Sequence, residues 1–172
     1  MSDTVGLLDG ARIAVRPISG DDDERLRRFH ERLSPDTVYL RFFTPHPELS
    51  TAEATYFTHV DHRCREALVA VSGDDIVGVA RFDRLPGSDD AEAAVVVDDA
   101  WQGRGVGSTL LRRLAERAAA LGVRRFMADV LARNRRMLRL LETIAPASWE
   151  YLDDGVVRGV VSLERGSHPL SA

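Results

Sequence analysis

VVVDDAWQGRGVGSTLLRRLAERA, Val95 to Ala118, runs from an apolar strand-like segment through three glycines into the most regular amphipathic segment of the chain. Leu110, Leu111, Leu114, Ala115, Ala118 and Leu121 recur at helical spacing on one face, and Gly122 is placed to stop the helix. Gly103, Gly105 and Gly107 stand on alternate positions just before it. Such a turn presents several backbone N–H groups with no Cβ in the way, at a helix end where the macrodipole is positive. Two readings follow: a cradle for a phosphate or pyrophosphate, or a tight strand-to-helix connection whose glycines only meet backbone angles.

Two familiar phosphate loops do not fit. A P-loop requires G-x-x-x-x-G-K-[ST], and this chain contains no lysine. The dinucleotide fingerprint G-x-G-x-x-G fails in both frames, because Ser108 or Leu110 stands where the last glycine or alanine belongs. Asp129 lies at the distance of a ribose-binding acid, but the segments before the glycines form a meander rather than a βαβ unit.

That meander is read from three valine-rich runs separated by turn residues: Ala67 to Ser72, Ile76 to Leu85 and Ala91 to Val97. Upstream, Ala11 to Pro17 alternates as a short strand. Asp21 to Leu33 is a helix with Leu26, Phe29, His30 and Leu33 on one face. Ser34-Pro35 opens a second helix reaching Phe42, and Ser50 with Glu53 forms a capping box for a third. Downstream, Arg124 to Leu131 is a strand, Asn134 to Ile144 a helix, and WEYL with VVRGVVSL a terminal hairpin. The order predicts an α/β domain around one mixed, mainly antiparallel central sheet flanked by helices, spanning residues 1–166, with a tail at 167–172.

Bulk properties narrow the function. The 172 residues suffice for one full core, and 44% hydrophobic with 29% charged content is ordinary for a globular domain. A net charge of −4 argues against a nucleic-acid partner. No apolar run is long enough for a membrane span and the N-terminus lacks a signal peptide's regions, so no membrane partner is expected. A lone Cys64 agrees with a reducing compartment, and a cytoplasmic location is expected. All 23 Lys or Arg residues are arginine, and the chain has a single Gln, Gln102, and a single Asn, Asn134.

Gln102-Gly103-Arg104-Gly105-Val106-Gly107 resembles the Q/R-x-x-G-x-G/A pyrophosphate loop of the GNAT superfamily, N-acetyltransferases that use acetyl-CoA. The resemblance extends to the order of strands and helices over nearly the whole chain. It also covers Asn134, which stands where the family pattern N-x-x-(small)-x-x-L-Y begins. Within the superfamily, DGARIAVRPISGDDDERLRRFHERLSPDTVYLRFF, ELSTAEATYFTHVDH and VLARNRRMLRL resemble the catalytic domains of bacterial Pat-type protein lysine acetyltransferases. Those domains are often fused to a cyclic-nucleotide-binding or acyl-CoA-synthetase-like domain. There is room for neither in 172 residues, so control by a fused domain is not expected.

The resemblance implies acetyl-CoA as co-substrate, no metal, and a protein lysine as acceptor; a small amine, a protein N-terminus or a weakly catalytic CoA-binding role are its alternatives. Lysine ammonium, with a pKa of about 10.4, must lose a proton before it attacks. The family's base falls on the strand before the loop, at Glu92, whose other reading is an exposed residue of an alternating strand. Val95, Val96 and Val97 would offer backbone groups to the pantetheine arm. Gln102, Gly103, Arg104, Gly105, Val106, Gly107 and Ser108 would hold the pyrophosphate. Asn134 would bind the pantetheine or cap its own helix, or both. One departure stands out: many GNAT enzymes place a tyrosine acid seven residues after the Asn, where this chain has Leu141. The usual Gly-Phe after that helix is also absent, replaced by IAPASWE.

Other features have plainer readings. His59, Asp61, His62, Cys64 and Glu66 match no ordinary zinc spacing and read as a polar loop. The acidic runs Asp21 to Glu24, Asp89-Asp90, Asp98-Asp99 and Asp153-Asp154 suit helix starts and turns, or attract a cationic acceptor. Arg112, Arg113, Arg133, Arg135 and Arg136 are candidates for the CoA 3′-phosphate or for solvated helix faces.

Overall fold

Strand β1 (Asp3–Gly6) escaped the sequence reading, since DTVG shows no apolar alternation and all but Val5 are exposed. A computed structural model describes residues 3–164; the tail expected at 167–172 lies outside the described residues. β1 pairs antiparallel with β2 (Arg12–Pro17). The segment expected as one helix from Asp21 begins as a 3-10 turn at Gly20–Asp22 and continues as α1 (Asp23–Arg32). α2 (Pro35–Phe42) starts behind Ser34, whose hydroxyl accepts from the Thr37 N–H at 3.2 Å. α3 (Thr51–Thr58) carries the expected Ser50–Glu53 capping box.

The valine-rich runs form β3 (Arg65–Ser72), β4 (Asp75–Arg84) and β5 (Asp90–Val97), an antiparallel meander. Then come α4 (Val106–Ala120), β6 (Arg125–Leu131), α5 (Arg135–Leu141), β7 (Ala147–Tyr151) and β8 (Val156–Ser162). α5 stops at Leu141, short of the expected Ile144. The eight strands form one sheet in the order β1-β2-β3-β4-β5-β6-β8-β7, antiparallel everywhere except between β5 and β6.

Each face of the sheet buries its own core. Leu110, Leu111 and Leu114 of α4 are fully buried against Ala80, Phe82, Ala91 and Phe126 on one side. Leu26 and Phe29 of α1 and Leu33 just after it, with Val38 of α2 and Ala54 of α3, cover Ala67, Val69, Ile76 and Val79 on the other. Burying a leucine or phenylalanine contributes roughly 1.5–3 kcal/mol, so these two layers hold the sheet between its helices. No helix among the described residues is long and apolar enough to cross a membrane.

One feature of the sheet positions the site. β5 and β6 pair only at Asp90–Arg125, Ala91–Phe126 and Glu92–Met127, although β5 continues to Val97 and β6 to Leu131. Beyond Glu92 the strands part, leaving the edge of Ala93 to Val97 without a neighbouring strand on the β6 side. The parting reflects where each strand leads: β5 into the glycine turn before α4, β6 into Asn134 and α5.

Candidate active site

The gap between β5 and β6 opens a cleft of about 1310 Å³, floored by β5 and walled by α2, the glycine turn and α5. The turn takes its shape from glycine backbone angles. Gly103 (φ +74°) and Gly105 (φ +95°) occupy the left-handed region, which a side chain disfavours by about 1–2 kcal/mol. At Gly107 the reason is space, because a Cβ would stand 3.2 Å from Leu140 Cδ2.

α4, the longest helix, begins at Gly105 with no side-chain cap, whereas Ser34, Ser50 and Asn134 cap α2, α3 and α5. The Thr109 N–H makes the first intrahelical bond, to Gly105 O at 3.0 Å, which leaves the N–H groups of Val106, Gly107 and Ser108 without helical partners. A helix end of this kind, opening onto a cleft, suits an anion.

The side chains of the turn are committed elsewhere. Gln102 Nε2 donates to Val97 O at 3.0 Å and to Thr37 Oγ1 at 3.3 Å, and its Oε1 accepts from Arg136. Gln102 is therefore a clasp joining β5, α2 and α5, and it occupies one of the carbonyls expected to serve the pantetheine. The Arg104 guanidinium pairs with Asp9 and lies 4.1 Å from the Trp101 ring centre, so the turn is lined by its backbone rather than by that charge. Ser108 Oγ donates to Gly105 O at 3.0 Å, and Val106 is buried in the core. Asn134 lines the cleft, and its Oδ1 accepts from Met137 N at 3.1 Å, the helix-capping role anticipated beside the binding one.

Glu92 sits at the last position of β5 that pairs with β6, where the cleft begins. It is exposed, and its carboxylate makes no hydrogen bond or ion pair among the described residues. Pleating separates the expected backbone contributors: Val95 and Val97 lean on the α4 core, while Val96 faces the helices of the other side, as Glu92 does. Arg41, unremarked in the sequence because LRFF reads as a helix face, lines the same cleft as Glu92. Burial pushes its pKa below the ordinary value and Arg81 acts in the same direction, while Glu92 and Asp83 oppose them.

Several other expectations are sorted by position. Arg133, Arg135 and Arg136 line the cleft, but Arg113 pairs with Asp3 at 2.9 Å and Arg112 reaches back to Ser108 O, so neither belongs to it. Glu66 is no loop residue: it is fully buried on β3, bound by Arg117 and by His62 Nδ1 at 2.7 Å. Asp61 accepts the N–H groups of Arg63, Cys64 and Arg65 at 2.8–2.9 Å, tying the loop before β3. Asp22 likewise exceeds a helix-start role, being fully buried and held by Arg16 through two bonds of 2.7 Å. Leu141 is buried in the α4-side core, so position 141 presents nothing to the cleft. In the segment replacing Gly-Phe, Trp149 covers Gly159 across the β7–β8 pair rather than facing the cleft.

The cleft thus brings together an uncapped helix end, a splayed strand pair and a carboxylate where the strands part. The chain belongs to the acetyltransferase (GNAT) family, whose model matches residues 21–144. It is an N-acetyltransferase by family, and its relatives include acetyltransferases. An acetyltransferase of Pseudomonas aeruginosa is 33% identical over 133 residues, covering 75% of this chain and 72% of that protein. Acetyltransferase Pat of Mycolicibacterium smegmatis is 34% identical over 146 residues, 83% of this chain but 43% of that protein, so the chain spans less than half of that relative. The crystal structure of the GNAT domain of S. lividans PAT superposes with a TM-score of 0.88 at 39% identity, covering 94% of this chain and 96% of that one.

Proposed function

We propose that this chain transfers acetyl from acetyl-CoA directly to the side-chain amine of protein lysines, with Glu92 as the base and no metal. The observation that carries the reading is the uncapped N-terminus of α4 opening beside the strand gap that starts at Glu92. The Pat-like relatives support the choice of a lysine acceptor. A cytoplasmic location belongs to the same proposal.

Each part of the chain then has a task. The N–H groups of Val106, Gly107 and Ser108, with the turn from Gln102, bind the pyrophosphate. The free edge of Ala93 to Val97 holds the pantetheine arm, and Asn134 reaches it from the opposite wall while capping α5. Acetyl-CoA, when bound, supplies a thioester carbonyl. Glu92 takes a proton from the acceptor ammonium, directly or through water, and the neutral amine forms the new C–N bond as the C–S bond breaks. A backbone N–H of the β5 edge stabilises the carbonyl oxygen as charge develops. With Leu141 buried, the thiolate departs without an acid from that position; a thiol pKa of about 8.5 makes it an adequate leaving group, and the proton shed by the acylated nitrogen reaches it through water.

Replacing Glu92 with Gln tests this. Transfer to a lysine peptide is expected to fall by about 10²–10⁴ while acetyl-CoA binding persists; unchanged turnover would remove Glu92 as base. Mapping acetyl sites in a proteome treated with the native chain and with the Glu92→Gln form tests the acceptor. Lysine sites gained only with the former are expected, and their absence would refute the protein-lysine assignment.

A further inference from the structure

Among the described residues, Arg41 is the one arginine that is partly buried yet has no carboxylate within ion-pairing distance; the other arginines without such a partner are all exposed. It lies in the last turn of α2, which ends at Phe43 in the left-handed conformation (φ +61°). A bulky residue in that region costs about 1–2 kcal/mol. Arg41 lines both the cleft and a cavity of about 50 Å³ that Arg81 also lines.

The local charges do not balance. Asp83 is already committed to Arg65 at 3.0 Å and Arg81 at 3.3 Å. Glu92 is the remaining carboxylate acting on Arg41, and in the proposed reaction it is occupied by the acceptor's amine. When Glu92 faces an ammonium, or holds its proton, Arg41 has no anion left. A half-desolvated guanidinium favours a carboxylate strongly, by paired charge-assisted hydrogen bonds.

We infer that Arg41 is an acceptor-binding residue that recognises a carboxylate close to the reacting amine. This rests on the proposed transfer reaction: amine to Glu92, carboxylate to Arg41. On a protein acceptor the carboxylate is an acidic side chain flanking the lysine; on a free amino acid it is the α-carboxylate.

The experiment compares kcat/KM for lysine peptides carrying Glu or Gln beside the lysine, and for free amino acids against their amides, with the native chain, Arg41→Gln and Arg41→Lys. For the native chain, loss of the carboxylate is expected to lower kcat/KM about tenfold or more, through KM. For Arg41→Gln the ratio should fall towards one, with Arg41→Lys between and the KM for acetyl-CoA unchanged in all three. A peptide effect assigns the carboxylate to a flanking side chain; an effect confined to free amino acids assigns it to the α-carboxylate. A native ratio near one in both series, or the same ratio in native and Arg41→Gln, overturns the inference. Fluorescence anisotropy of the labelled Glu and Gln peptides on the CoA-bound protein needs no turnover. Charge-dependent, Arg41-dependent binding without transfer would count against the reaction and for Arg41; charge-independent binding would count against Arg41.

Discussion

Substituting Gly105 by Ala separates the two uses of the glycine turn, as a connection and as a cradle. Gly105 has φ +95°, and a Cβ there meets only the Leu8 side chain, Cγ at 3.6 Å and Cδ1 at 3.8 Å, ordinary contacts. The cost is therefore conformational, about 1–2 kcal/mol, which in a domain of this size lowers Tm by about 2–4 °C per kcal/mol. Gly73, in the β3–β4 turn, provides the control: its φ is +59°, nothing lies within 4 Å of a built Cβ, and it is outside the cleft. Gly73→Ala should cost a similar amount of stability, near the lower end of that range. The two variants diverge in acetyl-CoA binding. Relaxing φ at Gly105 re-aims the N–H groups of Val106 and Gly107, and each bond they make to a charged oxygen is worth about 1.5–3 kcal/mol. Isothermal titration with acetyl-CoA should show Kd rising about tenfold or more in Gly105→Ala and hardly at all in Gly73→Ala. An unchanged Kd in Gly105→Ala despite a lowered Tm, or equal rises in both variants, would refute the cradle.

Asp22→Asn should destabilise the domain by about 2–3 kcal/mol, below the usual range for a broken buried pair because Arg16 is a quarter exposed; a shifted urea midpoint measures it. Burial raises the Asp22 pKa, but the hydrogen bonds from Arg16 and the Ser19 N–H outweigh it, leaving the pKa below its ordinary 3.8. The ion pair thus stabilises fully above pH 3.8 and is lost as pH falls through the lowered value, so the native midpoint should drop in that window while that of Asp22→Asn stays flatter. A chain without lysine should gain no acetyl group away from its N-terminus on incubation with acetyl-CoA; intact and peptide mass spectra check this, and an acetyl adduct on any internal residue would contradict it.

What the sequence disclosed were the local devices. Leu110, Leu111 and Leu114 announce α4 by spacing, Ser50 with Glu53 announces α3 by a cap, and Gly103 and Gly105 mark the turn by angles that glycine adopts cheaply. What stayed hidden depends on distant partners. Asp22 reads as a helix-start acid until Arg16 is seen bound to it, and Glu66 as a loop acid until Arg117 of α4 closes over it. The position of β8 between β6 and β7, and the three-pair register that parts β5 from β6, join segments tens of residues apart without any local mark. Arg41 was invisible for the same reason: an arginine on a short helix is ordinary, and its lack of a partner exists only in three dimensions.

The two sides of the cleft are also joined, by residues beside the motif and by Gln102 within it. Asp99, just after β5, accepts from Ser34 N–H at 2.9 Å, Ser34 Oγ at 2.8 Å and Thr37 Oγ1 at 2.8 Å, all at the start of α2. These bonds outweigh the effect of burial and hold the Asp99 pKa down, keeping the carboxylate charged as acceptor. Gln102 adds a bond to Thr37, and Arg133, before α5, reaches Asp36 at 3.2 Å. The helix that carries Arg41 at its far end is thus fastened at its near end to the turn assigned to the pyrophosphate. The Gln102 amide serves loop geometry on one side and α2 on the other, a structural reason for its place in the motif. If the turn holds the acyl donor and Arg41 the acceptor, as proposed, one short helix and its first-turn bonds set the distance between them.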